Sequence, residues 1–546
     1  MRSTLLLSVF STYCQAQTVE LEFVDDASGK PIAGRIKFDV GEKRVSRPRG
    51  VLVEGGWWLA ESKFALSPKG GDYEFMVQRG PEFVNVRGGF TVEKKSKDTV
   101  LIEVPRSTDM HAENWYSGDH DCRLIPELTR RWQAAEALDC VASLPRDLAD
   151  NPRTDSESGQ TARNHREEGT LQELLEPDVV GLRMGLESEC SNSKHGPIIL
   201  HRIGHSVANL EKTPEADPSQ KSTEISGLMN LLRSTIGREG VVPELMTSWA
   251  RDVPLLLSSK GVRSVQVLNH TNRPLADDVL TISPRSENTG IFGRVHSHLG
   301  KDTIVHALFA PLDFEDRLRY KGGRGVGLIS EQLFWTMLES GLRLTPTAGS
   351  GFGESETHLG YNRIYGFHEQ TPDAMRWLQA VSLGQTTITN GPLLRTLVNQ
   401  LPPGTTQSSS RGTPIDLDID VSLTVREPVD YLDVLFNGEP LYSAKLEEHH
   451  QRNQFPPLQI EESGWLVIRV ITAHEKGYRM ATTAPFYFEF DGKPRISKKA
   501  CEFMLAWLKN AASNIKQNPE DWNDYAAPMI EAHRFWTEQI SKATAP

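Results

Sequence analysis

The chain has 546 residues, of which 38% are hydrophobic and 8% aromatic, with 43 glycines and a formal net charge of -12. At roughly 100–200 residues per domain, this length calls for three or four units rather than one core, and with this composition long disordered stretches are not expected. The acidic balance removes the basic face that a nucleic-acid binder uses to displace counterions from phosphates, so no nucleic-acid partner is expected.

The first seventeen residues read "MRSTLLLSVFSTYCQAQ". Arg2, a short apolar run from Leu5 to Phe10 and the small residue Ala16 before Gln17 form the pattern of a signal peptide over residues 1–16, and so predict export to the periplasm or the exterior. Tyr13 before Cys14 spoils a lipoprotein box. No later segment has the eighteen or more continuous apolar residues of a membrane helix. Four cysteines follow the leader: Cys122, Cys140, Cys190 and Cys501. An even number permits disulfides, but four in so long a chain make no scaffold, and their pairing is not fixed by spacing. The lack of a CxxC pair excludes a zinc ribbon.

Residues 17–104 alternate short β-like runs ("VELEFVD", "GRIKFDV", "DYEFMVQ", "TVLIEVP") with turns such as "DASGKP" and "SPKGGD". That punctuation predicts a small antiparallel sandwich. Residues 105–395 mix helical patterns ("PELTRRWQAAEALDCVASL", "ISEQLFWTMLESGLRL") with apolar runs ("PIILHRIG", "VRSVQVLNH"), as parallel α/β folds do. In the second helix Ile329, Leu333, Phe334, Met337 and Leu338 fall at helical spacing, with Ser330 as a cap. The glycines of "KGGRGVG", 321–327, read as a flexible loop, because the spacing of a phosphate-binding motif is absent. "EEHHQR", around His449 and His450, reads as a solvated loop. From residue 396 to 492 the β alternation returns, with Asn437-Gly438 as a hairpin signal, and predicts a second, Ig-like sandwich. Residues 493–546 read as two helices whose Phe503, Leu505, Trp507, Leu508 and Trp536 need a surface to dock on.

The chemistry concentrates in residues 105–395. His120 and Cys122 are two apart, so on a strand both point to one face, as adjacent ligands of one metal must. Glu136, Glu187, His195, His201, His205, Asp252, His270 and His358 follow. Such ligands are what a zinc or manganese hydrolase uses to lower the pKa of bound water. Sixteen histidines scatter across any chain of this size, so most are ordinary surface or core residues.

"ENWYSGDHDCR", "MLESGLRLTPTAGSGFGE", "LGYNRIYGF" and "LGQTTITNGPLLRTLVNQLPPGT" resemble the CehA/McbA-type metallohydrolases, a branch of the polymerase-and-histidinol-phosphatase (PHP) superfamily. "DDASGKPIAGRIKF" resembles the opening of carboxypeptidase-regulatory-type β-sandwich domains. The leading sandwich, "TAPFYFEFDGKPRIS" and the tail ending in "AHRFWTEQ" also resemble large exported relatives of that branch. The resemblance implies a multidomain α/β protein: a PHP-like distorted parallel α/β barrel flanked by two β-sandwich domains, with a C-terminal helical tail. It further implies divalent metal, zinc or manganese, at the strand ends for hydrolysis of ester, carbamate or phosphoester bonds. On this pattern His120, Cys122, Glu187 and His195 match metal-ligand positions; His270 is a further candidate ligand, and Asp119 or Glu136 is the candidate catalytic general base. Asn362 and Arg363 fall at substrate-binding positions, although "GYNR" also reads as a strand entry with a buried arginine.

The sequence departs from the family in two places. Cys122 stands where the family has its second histidine, in a motif one residue shorter, and a thiolate suits zinc but not manganese. Ala348-Gly349-Ser350 runs into Gly351, where the hydrolases proper carry an aspartate; Glu354 and His358 are the nearest replacements. Two readings stay open: a metal-dependent hydrolase of reduced or lost activity, acting on a small-molecule or carbohydrate-type substrate, and an inactive PHP-like scaffold that binds carbohydrate or protein through its sandwiches. Oligomeric state is not set by either.

Overall fold

A computed structural model of the chain describes residues 18–39, 48, 51–54, 56–93, 97–124, 126–143, 180–184, 198–202, 224–272, 322–353, 357–452, 455–474 and 477–546. The leader lies outside them, as do Cys190, Glu187, His195, His205 and Glu354. The protein is mixed α/β and sheet-rich, and it divides into two compact units: Met1–Ser107 with Ala134–Glu136, and Thr108–Gln133 with Ala137–Pro546.

In the first unit, Thr18–Asp25 lies between Lys63–Leu66 and Lys97–Val104, and a five-stranded sheet runs in the order Leu52–Glu54, Trp57–Ala60, Gly34–Asp39, Gly71–Gln78, Val86–Val92. Alternation places Val19, Leu21 and Phe23 in the core. The pairing is not wholly antiparallel as expected: Thr18–Asp25 runs parallel to Lys97–Val104. A parallel neighbour needs a long crossover, and here the other strands of the unit supply it. The "DASGKP" turn closes as an Asx-turn, with Asp25 Oδ1 accepting from the Ser28 amide at 2.8 Å and Gly29 at φ +64°.

The second unit carries a long mixed sheet. Its first seven strands in space are Thr345–Ala348, Ser264–Leu268, Val241–Leu245, Ile198–Arg202, Val180–Met184, Cys140–Ser143 and Trp115–Cys122. Their pairings are parallel except on the two sides of Ile198–Arg202. A parallel bridge between Cys122 and Phe352 then brings the chain beyond Thr345–Ala348 beside the end of Trp115–Cys122. Two amides hold it: Arg123 donates to Phe352 O at 2.7 Å and Phe352 to Asp121 O at 3.2 Å. Strands such as Val241–Leu245 are buried throughout, which is why they read as continuous apolar runs rather than as alternation.

On its other side the sheet continues through Arg363–Phe367 and Thr386–Thr389 into Met480–Thr483, Gly464–Thr472, Val429–Phe436 and Glu439–Ala444. This second β region is therefore hydrogen-bonded to the α/β strands, and the boundary expected at 395/396 falls inside the strand Leu393–Val398. The hairpin forms at the predicted place, with Asn437 at φ +53° and Gly438 at φ +83°. Leu432, Val434, Leu466, Ile468 and Phe486 form a core of their own. The tail makes the helices Lys498–Ile515 and Pro519–Ser541, whose Trp507 and Trp536 join Val265, Ile329, Phe334 and Trp377 in the main core. Among the described residues, no helix is long and apolar enough to cross a membrane.

Several local expectations change. Helix Pro126–Ala135 stops well short of Leu144, and Cys140–Ser143 is a strand, because an apolar run this short fits either period. Helix Gly322–Glu339 begins seven residues before Ile329, inside the glycine run read as a loop. A Cβ at Gly327 would stand 2.1 Å from Tyr478 Cδ1, so glycine is there for close helix packing. Ser330 is consequently mid-helix and no cap: its hydroxyl donates to Val267 O at 2.8 Å. His449 lies on the helix Leu446–Arg452, with its Nδ1 3.1 Å from the Tyr442 hydroxyl.

Candidate functional site at the strand ends

The "GDHDCR" segment forms the C-terminal half of the fully buried strand Trp115–Cys122. Gly118 is required by packing, since a Cβ there would lie 2.3 Å from the Trp377 ring. Trp377 belongs to helix Ala374–Leu383, which Asp373 caps by accepting from the Arg376 amide. Its indole donates to Tyr116 O at 3.3 Å and meets the His120 ring edge-on at 5.2 Å.

His120 Nδ1 stands 2.7 Å from Glu244 Oε2, and neither side chain is exposed to solvent. A carboxylate only accepts, so Nδ1 carries a proton and donates to Glu244. Glu244 also accepts from Ser264 Oγ at 3.1 Å and, on Oε1, from Gln266 Nε2 at 2.7 Å. Strand register accounts for the set: Glu244 pairs with Ser264, and Gln266 pairs with Thr347.

Asp119 takes a different part. Its Oδ1 accepts from the amides of Asp121 at 3.0 Å and Ser350 at 2.9 Å, and its Oδ2 from the amide of Gly360 at 2.8 Å. One side chain thus fastens the first strand to two loops more than 200 residues away. Burial pushes its carboxyl up to about 6, against the pull of those N–H donors. Asp121 pairs with the Arg123 guanidinium. Cys122 Sγ packs 3.5 Å from Thr129 Oγ1 on the following helix, and burial raises the thiol to about 12, so the neutral thiol is the form present. Cys122 and Cys140 are both free, not bridged.

Glu136, expected as a base, sits in the first unit in a buried ion pair with Arg35 at 2.9 Å. His270 is buried two residues beyond Ser264–Leu268. His358 Nδ1 donates to Leu359 O at 2.8 Å. Asn362 Nδ2 donates to the carbonyls of Asn269 at 3.0 Å and Gly349 at 3.1 Å, and Arg363 Nε to Gly360 O at 2.6 Å. Arg363 is thus a buried strand-entry arginine in its geometry. Glu187 and His195 fall outside the described residues, as do the side chains of His201 and His205. Among the described residues, no three His, Cys, Asp or Glu side chains group as a metal site requires.

Sequence reasoning missed Glu244, Gln266, Gly349 and the Asn269/Asn272 pair. The signal was present for the first two: a lone carboxylate in "VVPEL" and a glutamine in "SVQVL", inside otherwise apolar buried strands. Gly349 is the hub. A Cβ on it would lie 2.6 Å from Asp121 Cβ and 2.9 Å from both amide atoms of Gln266, so these groups close around a bare Cα. In comparisons with family models, with characterised proteins and with solved structures, the chain finds no match.

Proposed function

We propose that the protein is an exported CehA/McbA-like chain in which a PHP-type distorted α/β barrel, flanked by two β-sandwiches and a helical tail, serves to bind a small molecule rather than to hydrolyse one. Support for the barrel comes from the seven-strand series and the Cys122–Phe352 bridge. The observation that carries the functional reading is Asp119: three backbone amides occupy its carboxylate, which turns the expected catalytic acid or base into a fastening between strand ends. The Asp121–Arg123 pair and the packing of Cys122 Sγ against Thr129 Oγ1 point the same way.

A second reading has one specific observation behind it. The Glu244 carboxylate fixes the tautomer of His120 as a carboxylate partner does for a metal-bound histidine, which suits a reduced metallohydrolase site. Elemental mass spectrometry of the purified protein, with assays on ester, carbamate and phosphoester panels after dialysis against zinc and manganese, separates the two. Substoichiometric metal without turnover is expected. Stoichiometric zinc or manganese, with turnover that disappears in His120→Ala, overturns the binding-protein reading.

A further inference from the structure

Beside Gly349, three asparagines meet with their amides held in fixed orientations, Asn269 and Asn272 from one strand end and Asn362 from a distant segment. Asn362 Nδ2 donates to the carbonyls of Asn269, Asn272 and Gly349 at 3.0, 3.4 and 3.1 Å, so its Oδ1 is the atom left over. Asn269 Oδ1 accepts from the Thr271 amide at 2.9 Å and from the Thr271 hydroxyl. Asn272 Oδ1 accepts from the Asn269 amide at 3.0 Å. Each oxygen is committed, so Nδ2 is the outstanding atom on both. Backbone groups thus settle all three orientations.

The outstanding atoms, Asn269 Nδ2, Asn272 Nδ2 and Asn362 Oδ1, are buried and have no partner among the described residues. Exposure of these three residues is 0%, 4% and 0%. Gln266 Oε1, which lies against Gly349, and Thr347 Oγ1, paired in register with Gln266, are outstanding in the same sense. Buried polar atoms are rarely left unmatched, and leaving so many at one set of strand ends is costly unless something fills them.

We propose that Asn269, Asn272 and Asn362 wall a binding site for a neutral, hydroxyl-rich small molecule of the sugar or polyol class. The wall offers two donors and an acceptor, extended by Gln266 and Thr347. A hydroxyl both accepts from an asparagine amide and donates to its carbonyl, so neighbouring hydroxyls on one ligand match this mixed wall. The wall itself carries no charge; Asp119, Asp121 and Glu244 stand at the same strand ends, Arg123 is spent on Asp121, and the buried Arg363, next to Asn362, is engaged on Gly360 O through Nε. Three acids against two engaged arginines leave these strand ends short of the positive charge an anion needs. This inference rests on the binding-protein reading but can fail separately from it.

The test is calorimetric titration and thermal shift of the full chain against glucose, galactose, xylose, sucrose, glycerol and myo-inositol, with glucuronate and galacturonate as charged counterparts. At least one neutral compound is expected to bind, and its acid counterpart about tenfold or more weakly. Asn269→Asp and Asn272→Asp keep the committed oxygen and replace only the outstanding amide nitrogen, so each should weaken binding by about tenfold. Far-ultraviolet circular dichroism checks that each variant is folded. Asn272→Asp, at the less buried position, serves if Asn269→Asp does not fold. No heat or shift with any neutral compound, or variants that bind like the parent, overturns the proposal; in that outcome ordered water fills the wall. Binding accompanied by chelator-sensitive hydrolysis leaves the site standing and removes the non-catalytic reading instead.

Discussion

Replacing His120 with alanine takes away the donor that Glu244 Oε2 holds at 2.7 Å and leaves that carboxylate inside the protein with the donors Ser264 Oγ and Gln266 Nε2. Removing the hydrogen-bond donor of a buried carboxylate costs about 1–3 kcal/mol or more, because the carboxylate keeps its desolvation penalty with one partner fewer. Loss of the edge-on contact with Trp377 adds to this. In a Glu244→Gln background the same His120→Ala change should cost less, since a neutral amide is cheaper to leave buried, and a double-mutant cycle gives the coupling directly. Urea unfolding followed by tryptophan fluorescence suits the measurement: nine of the 11 tryptophans lie in the second unit, only Trp57 and Trp58 in the first. A His120→Ala midpoint corresponding to a loss below about 1 kcal/mol, or equal costs in the two backgrounds, would refute a structural role for the pair.

Gly349→Ala should destabilise the second unit by about 1–3 kcal/mol or more, because the new methyl meets a strand Cβ and the Gln266 amide and neither has room to withdraw; a midpoint unchanged from the parent in urea would show that the strand ends are looser than described. Asp119 makes stability depend on pH with a definite sign. Its folded pKa of about 6 lies above the ordinary carboxyl value, so its contribution is complete below about pH 4 and is lost as pH rises through 6, a change on the order of 3 kcal/mol. Asp119→Asn should be less stable overall yet lose that portion of the pH dependence; parallel profiles for parent and variant between pH 4 and about 7.5 would contradict the assignment. Cys122, Cys140 and Cys501 are buried and free, and iodoacetamide should modify them only after denaturation. Peptide mapping that finds Cys122 alkylated in the native protein would expose it to solvent and reopen it as a ligand.

The sequence by itself determined what is local. Alternation marked Thr18–Asp25 and Gly71–Gln78, Asn437-Gly438 fixed its hairpin, and apolar spacing located the tail helices and the buried face of Gly322–Glu339, because each signal repeats within one element's own period. Tertiary structure decided everything that depends on which elements become neighbours. The glycines of 321–327 join a helix because Tyr478, about 150 residues on, packs against Gly327. Asp119 becomes a fastening because the amides of Ser350 and Gly360 reach it, and Asn269, Asn272 and Asn362 form one wall only where two strand ends and a loop meet at Gly349. A side chain's chemistry is fixed by its residue type, but whether it is spent on the backbone or held out for a ligand is fixed by its partners, and those are chosen by the topology of the sheet.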